Sequence, residues 1–399
     1  MATTAPRTKK FARRREQLLD LASRQINDQG ARAMTLTAVA KQLSLDTSSV
    51  TYYFKRKDDL VGACLARTMH WLHESARMAA EEPSPRHRVR RFVHEHLALH
   101  RRQRDPAEPR LALLSDLPTL PEPVRSRLEA QYRDVFRIVR GFFDATTEER
   151  DHRLLCTSYL LATILWLPAW IDRYMVGDFE RIEQRLCDIL FDGLQVGGRW
   201  QPAIEPLEEV DRSAQGRFLL AATNLINREG YLGASVEKIA AELGVSTGSF
   251  YHHLDNKDDL VIACFQRSFA LIKRAQQASA AQGGAQGEQL ARTLASLLAL
   301  QFAGESPLLR INAYQALPVE LRLQMLHRTG QVTRHIAGTI SDGMIDGSLR
   351  PIDAVLAGHA VLAAINAASD LRGWAAGRPL EEAVGGMLRL VGRGMFGEA

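Results

Sequence analysis

Two segments of this chain carry small polar and aromatic side chains in the same order. Residues 46–60 read DTSSVTYYFKRKDDL, and residues 246–260 read STGSFYHHLDNKDDL. Hydroxyl groups and small side chains let a helix approach the edges of DNA bases, and tyrosine or histidine can reach phosphate oxygens. The chemistry that these residues predict is hydrogen bonding to a DNA duplex at two places.

The candidate DNA-binding residues lie in these segments and in the short stretch before each. In the first copy they are Thr35, Thr37, Thr47, Ser48, Ser49, Thr51, Tyr52, Tyr53 and Lys57. In the second copy they are Ser235, Thr247, Gly248, Ser249, Tyr251, His252 and Lys257. Each lysine opens a helix whose free amide groups also favour phosphate. A purely structural helical hairpin is the alternative for one copy, and it explains two copies in register less well.

The two segments belong to a repeat of a whole domain. Aligning residues 15–65 with 215–265 without a gap gives 16 identities in 51 positions. The chain has 399 residues, which is more than a single hydrophobic core usually supports. A period of 200 residues is too long for a solenoid, so we predict two copies of one domain.

Helical spacing of apolar residues recurs in both copies, and no stretch alternates as a strand would. In the first copy Gly30 closes one apolar stripe, and Thr35 is placed to cap the next short helix. A break at 44–46 separates that helix from one running from Thr47 to about Tyr53. Two short helices joined by such a turn predict a helix-turn-helix. The stripe comprises Leu18, Leu19, Ala22 and Ile26.

Composition changes along the chain predict the domain boundaries. A basic run precedes the first acid, Glu16, and predicts an arm that can contact phosphates or a minor groove. Two glycines, two prolines and an acidic cluster predict a linker at 197–214. The predicted parts are a basic arm at 1–14, helix-turn-helix domains at 15–62 and 215–262, and helical domains at 63–196 and 263–399.

Overall composition favours a soluble, cytoplasmic protein. Net charge is +5, with 46% hydrophobic and 24% charged residues, and no apolar signal follows the basic start. The four cysteines lack metal-ligand spacing, so we expect small buried hydrophobes. The uncharged segment 154–171 is barely long enough for a bilayer and contains Pro168. We therefore predict that it is buried against other helices, with no membrane partner.

Motifs that would indicate an enzyme are missing from plausible positions. We find no GxSxG, HExxH, P-loop or dinucleotide fingerprint in such a place. We therefore predict no catalytic residues, no metal site and no cofactor. Two classes compete with a sequence-specific DNA-binding regulator. They are an all-helical enzyme and an architectural DNA binder without an effector. An architectural binder would lose affinity with salt similarly on every sequence, whereas a regulator prefers its operator by about 10³ or more.

The stretches TLTAVAKQLSLDTSSVTYYFKRKDDL and SVEKIAAELGVSTGSFYHHLDNKDDL resemble the DNA-binding region of the TetR/AcrR family of transcriptional regulators. Tyr251 stands at the family's phosphate-contacting tyrosine, and Lys257 matches the family's lysine. The first copy departs from the pattern, because Thr51 stands at the tyrosine position and Tyr52 is displaced by one residue.

This resemblance implies an all-α fold of two tandem units, each with a helix-turn-helix three-helix domain and a helical ligand-binding and dimerisation domain. Family members usually act as homodimers of chains about half this long, so the chain resembles such a dimer in one polypeptide, a monomer acting as a pseudo-dimer. Helices at 152–175 and 178–195 would bundle with those at 353–376 and 379–394. The two recognition helices would lie about 35 Å apart on double-stranded operator DNA. Because they differ in sequence, the two half-sites of the operator can differ.

The resemblance also implies a small-molecule effector that releases the protein from DNA, as expected of a repressor. The candidate pocket residues are mostly apolar, which predicts a lipophilic effector. An aromatic stripe at helical spacing is more often core than pocket, and that alternative stays open for each residue. The candidates are Phe92, His96, Leu114, Tyr132, Phe136, Trp166 and Trp170 in the first copy and Phe302, Leu309, Tyr314, His335, Asn366 and Trp374 in the second.

Overall fold

A computed structural model describes residues 9–114, 117, 120–143, 150–197, 200–201, 203–207, 213–244, 256–304, 307–310, 317 and 319–397. The first half contains α1 (Lys9–Ala33), α2 (Leu36–Gln42), α3 (Thr47–Tyr53), α4 (Lys57–Ala80), α5 (Pro85–Arg102), α6 (Val124–Arg140), α7 (Arg150–Trp166) and α8 (Phe179–Asp192). The second half contains α9 (Ala214–Gly233), α10 (Val236–Leu243), α11 (Lys257–Ala281), α12 (Gln286–Ala303), α13 (Val319–Ile345), α14 (Ala354–Asp370), α15 (Arg372–Ala375) and α16 (Leu380–Arg393). The prediction of an all-α fold of two tandem units is confirmed.

The start of α1 includes the described part of the predicted basic arm. Residues 9–14 are helical and continue into the apolar stripe, whose four predicted residues are all buried. The reason is local, because lysine, arginine and alanine are good helix formers and neither glycine nor proline interrupts this stretch. Gly30 has a φ of 79° and a ψ of 157°, so the regular helix turns there, as predicted. Gly230 has nearly the same conformation in α9, with φ 74° and ψ 170°.

An asparagine fastens each three-helix domain to the helical domain behind it. Asn27 donates its side-chain amide to the carbonyl of Leu111 at 2.8 Å and accepts from the amide of Leu113 at 2.9 Å. Asn227 donates to Leu308 at 2.9 Å and accepts from Arg310 at 2.8 Å. The identity at these two aligned positions therefore reflects one repeated contact. It links the first helix of each DNA-binding domain to the loop that follows α5 or α12.

Helices from both halves pack together at the carboxyl-terminal end of each unit. In this region α7 and α8 contact α14 and α16. The segment 154–171, considered above for a membrane, is mostly buried. Its α-helix ends at Trp166 rather than near 175, because Pro168 follows and the chain continues in short 3₁₀ turns. None of the helices in the described part of the chain combines the length and apolarity that crossing a bilayer requires.

The ends of α8 and α16 form a reciprocal seam between the halves, which we call the glycine seam (residues 190–195 and 391–396). Leu194 donates its amide to the carbonyl of Val391 at 3.2 Å, and Met395 donates to Leu190 at 2.8 Å. Gln195 donates to Gly392 at 2.9 Å, and Phe396 donates to Phe191 at 3.1 Å. These four bonds form two reciprocal pairs, which is the pattern of an interface with two-fold symmetry, and Leu194 also donates to the Gly392 carbonyl at 2.9 Å.

Two glycines allow this approach. Gly193 has a φ of 67° and a ψ of −159°, and Gly394 has a φ of 78° and a ψ of −179°. This backbone region is accessible essentially only to glycine. A Cβ on Gly193 would overlap the Gly392 carbonyl, and a Cβ on Gly394 would overlap the Phe191 carbonyl. The close contact between the halves therefore depends on both residues lacking a side chain.

The segment predicted as the linker contacts the second half where it is described. The amide of Glu205 donates to the Ser296 hydroxyl at 3.0 Å, and Trp200 lies against Gly392. The four cysteines are free and buried, as their spacing and apolar neighbours predict.

Candidate DNA-binding surface

The first helix-turn-helix is formed by α2 and α3. The hydroxyl of Thr35 accepts from the amide of Ala38 at 3.0 Å, which is the predicted N-cap of α2. Val39 and Ala40 on α2 and Val50 on α3 are buried, so the crossing of the two helices is apolar. The opposite face of α3 remains available to a partner.

The turn between these helices contains Ser44 with a φ of 53°. A left-handed conformation costs a residue with a Cβ roughly 1–2 kcal/mol. In the second copy the aligned position is Gly244, whose φ of 64° carries no such cost. The two copies thus share a left-handed residue at this aligned position, serine in the first and glycine in the second.

Polar side chains of α3 form the exposed face. Ser48 is exposed, and 75% of Tyr52 is accessible to solvent. The hydroxyls of Thr47 and Thr37 lie 3.3 Å apart, which joins the recognition helix to α2. Thr51 donates its hydroxyl to the Ser48 carbonyl at 2.9 Å and so folds back onto its own helix. Ser48 and Tyr52 are therefore the best placed of these residues to meet a base edge or a phosphate.

An aromatic contact that the sequence did not reveal joins α1 to the end of α3. The ring of Phe11 lies 4.7 Å from Tyr53 and 6.0 Å from Tyr52, centroid to centroid, and the two tyrosine rings are 5.3 Å apart. Beside this aromatic cluster (Phe11, Tyr52 and Tyr53) is an open pocket of about 360 Å³. It is lined by Arg14, Leu45, Ser48, Ser49, Tyr52 and Tyr53.

The remaining predicted contacts lie at helix starts or outside the described residues. Lys57 and Lys257 are the first residues of α4 and α11, as predicted. The hydroxyl of Ser235 caps α10 by accepting from the amide of Lys238 at 3.2 Å. The predicted contacts of the second recognition helix fall at 245–255, outside the described residues; they are Thr247, Gly248, Ser249, Tyr251 and His252.

The helical domain of the first half brings two of its candidate pocket residues into contact. The rings of Phe92 and His96 lie 4.4 Å apart and are buried. The Nδ1 of His96 lies 2.8 Å from the Phe92 carbonyl, whereas its Nε2 is buried without a hydrogen-bond partner among the described residues. Burial lowers the pKa of His96 to about 3, so the ring is neutral at neutral pH.

The other first-half candidates divide between two places. Leu114, Tyr132 and Phe136 are half-buried beside the core. Trp166 and Trp170 are buried, and the ring of Trp170 stacks on His359 of the second half at 4.7 Å. Trp170 thus belongs to the contact between the halves rather than to the neighbourhood of His96.

In the second half the candidates are also dispersed. Phe302 and Trp374 lie 6.1 Å apart, and Leu309 is buried. Asn366 donates its amide to the Leu362 carbonyl at 3.1 Å. His335 lies on the exposed face of α13, away from these buried residues, and Tyr314 falls outside the described residues. No group of three metal-binding side chains occurs among the residues that the structure describes.

Comparison with known proteins bears on the duplicated domain. The family described as "Bacterial regulatory proteins, tetR family" matches twice, at residues 18–64 and 218–264. The HTH-type transcriptional regulator BetI of Burkholderia mallei (strain NCTC 10229) is 35% identical over 82 residues. That match covers 20% of this chain and 42% of the relative, so the chain spans less than half the length of that protein.

Two solved structures are also similar. A TetR-family transcriptional regulator from Bordetella parapertussis 12822 is 20% identical, with 44% of this chain and 92% of that chain covered and a TM-score of 0.38. AibR in complex with isovaleryl coenzyme A and operator DNA is 17% identical, with 44% of this chain and 97% of that chain covered and a TM-score of 0.38.

The two family matches coincide with the two predicted helix-turn-helix regions. They begin at Leu18 and Phe218 and end at Cys64 and Cys264, and are thus 200 residues apart at both ends. The matched family and the BetI relative are both described as regulatory proteins. The family's domain is thus found twice in the chain, at residues 18–64 and 218–264, as a tandem duplication.

Proposed function

We propose that this protein is a transcriptional repressor in which one chain supplies both halves of a DNA-binding dimer. Two family domains in one polypeptide, 200 residues apart, carry this proposal. The reciprocal hydrogen bonds of the glycine seam support it, because they give the two halves the relation that two subunits have in a homodimer. A single chain then covers both half-sites of one operator.

The two recognition helices are proposed to read different half-sites. The aligned positions Ser48 and Gly248 differ, as do Thr51 and Tyr251. Substituting a residue that contacts a base changes sequence preference, whereas substituting a phosphate contact weakens binding on every sequence. An operator with two dissimilar halves is the expected target.

A small apolar effector is proposed to release the protein from DNA. The buried pair Phe92 and His96 supports an apolar ligand, since the imidazole is neutral and offers a single polar atom, Nε2. The amide clamps of Asn27 and Asn227 are the proposed route from the helical domains to the DNA-binding domains. A ligand that moves either clamped loop would also move the first helix of the attached domain.

Selection of bound duplexes from a random pool tests the DNA-binding proposal. We expect one enriched sequence whose two halves differ, about one helical turn apart, bound by one chain per duplex in native mass spectrometry. Ser48→Ala should alter the preferred bases in one half only, whereas Lys57→Ala should weaken binding to every duplex. A perfect palindrome read equally by both halves would refute the asymmetric operator. Binding by two chains per duplex would refute the single-chain dimer.

The effector proposal has its own measurement. Ligand that copurifies with the protein can be identified by mass spectrometry and added back to the operator complex. We expect release of DNA, and we expect His96→Phe to reduce the effect because it removes Nε2, the ring nitrogen that has no partner among the described residues. Undiminished release with His96→Phe would exclude this pair as the ligand site.

A further inference from the structure

The first two turns of α1 carry a concentration of positive charge next to the first recognition helix. Residues 9–15 read KKFARRR, with five basic residues and no acid. Lys9, Lys10 and Arg13 are exposed. Arg14 lines the 360 Å³ pocket together with Ser48 and Ser49 of α3. The basic turns and the recognition helix thus border the same open surface.

The aromatic cluster holds these two elements in register. Phe11 lies in the middle of the basic run and packs on both Tyr53 and Tyr52 of α3. Arg15 adds a second connection, because its guanidinium lies 5.3 Å from the centre of the Phe54 ring. Aromatic pairs at these separations are favourable beyond the apolar area that they bury. The position of the basic turns relative to α3 is therefore set by packing.

The second half lacks the residues that build this arrangement. The aligned residues 209–215 read EVDRSAQ, with two acids and one base. Asp211 stands where the first half has Phe11, Ala214 where it has Arg14, and His252 where it has Tyr52. The two copies therefore differ in charge and in aromatic content at the same place, independently of their recognition helices.

We propose that Phe11 is a positioning residue that makes the start of α1 part of the DNA-binding surface of the first half alone. Lys10, Arg13 and Arg14 then contact the sugar–phosphate backbone beside the groove that α3 enters. The first half supplies most of the electrostatic affinity, and the second half adds sequence preference with fewer phosphate contacts. This inference rests on the proposed DNA binding and adds how that binding is divided between the halves.

Removing the same number of positive charges from each half tests how the phosphate contacts are divided between the halves. Binding to a mixed-sequence duplex of 30 base pairs is measured between 50 and 200 mM KCl. Each phosphate contact contributes about 0.9 to the slope of log affinity against log salt. The double variant Arg13→Gln/Arg14→Gln should lower the slope by about 1.8. The double variant Arg212→Gln/Arg217→Gln removes the same charge from the second half and should lower it by less than half as much.

Variants at Phe11 test the positioning role. Phe11→Leu keeps an apolar side chain but removes the ring contacts, and we expect it to weaken duplex binding about tenfold and to lower the slope by about one. Phe11→Tyr keeps the ring and should restore both values. The thermal midpoint of each variant is measured alongside, because a general loss of folding would lower it far more than the loss of the ring contacts alone.

The outcomes separate this inference from the proposed function. If the unmodified protein has no affinity for the duplex, both are wrong. If it binds and the two double variants lower the slope equally, the unequal division is wrong while DNA binding stands. If Phe11→Leu binds with unchanged affinity and slope, the positioning role is wrong.

Discussion

Replacing Gly394 by alanine should break the glycine seam, and Gly347 provides a matched control. Gly394 has a φ of 78° and Gly347 a φ of 79°, so an alanine is unfavourable at both. A Cβ on Gly347 would have no heavy atom within 4 Å, whereas one on Gly394 would overlap the backbone of Phe191 and Asp192. The difference between the two variants therefore reports the contact between the halves together with the glycine-only ψ of −179° at Gly394.

The expected magnitudes follow from these contacts. Positive φ costs alanine about 1–2 kcal/mol, and this is the whole cost expected for Gly347→Ala. Gly394→Ala must also displace the Phe191 carbonyl, which disrupts the bonds from Met395 to Leu190 and from Phe396 to Phe191. Each backbone group left buried without a partner adds roughly 1–3 kcal/mol. We expect Gly394→Ala to lower the free energy of unfolding by about 4 kcal/mol.

Urea denaturation followed by circular dichroism measures both variants, and amide hydrogen exchange at 194–196 and 395–396 reports the seam directly. Gly193→Ala should behave like Gly394→Ala, because its Cβ would meet the Gly392 carbonyl. Equal midpoints for Gly347→Ala and Gly394→Ala, with protected seam amides in both, would refute the reasoning.

The turn of the helix-turn-helix and the buried histidines give two further predictions. Ser44→Gly should stabilise the protein by up to about 1 kcal/mol by relieving its positive φ, and Gly244→Ala should destabilise it by about as much; equal signs in urea denaturation would contradict this. Burial lowers the pKa of His359 to about 3, below the usual 6.5, so the unfolded chain binds more protons between these values and stability falls on acidification. His359→Phe, which keeps the stack on Trp170, should remove about 2 kcal/mol of the loss between pH 7 and pH 5, and an unchanged pH profile of unfolding would contradict it.

Much of the fold could be predicted from the sequence, because it depends on interactions between residues that are close together in the chain. The apolar stripe of α1, the Thr35 cap and the bounds of α3 each depend on neighbouring residues. The duplication was visible because identical residues recur at one spacing. The predicted helix ends near 175 and 376 were wrong, since 3₁₀ turns and the short α15 follow the helical patterns there.

Features that depend on tertiary contact left no such signal. Phe11 has no periodic apolar partners in the sequence, and its contact with Tyr52 requires the folded three-helix domain. The reciprocal bonds of Gly193 and Gly394 join residues far apart in the chain. Ser44 was a partial exception, because its aligned residue Gly244 could have indicated a left-handed turn.

One contact joins a helix of the second half to the first helix of the first half, and it affects how such a chain can evolve. Arg322 of α13 donates to the carbonyls of Asn27 and Asp28 at 2.6 and 2.5 Å, near the end of α1 in the first DNA-binding domain. In a homodimer every mutation appears in both subunits. Both helical domains and both DNA-binding domains must therefore change together. In a fused chain Arg322 can change alone. Selection can then alter this contact between the second helical domain and the first three-helix domain by itself.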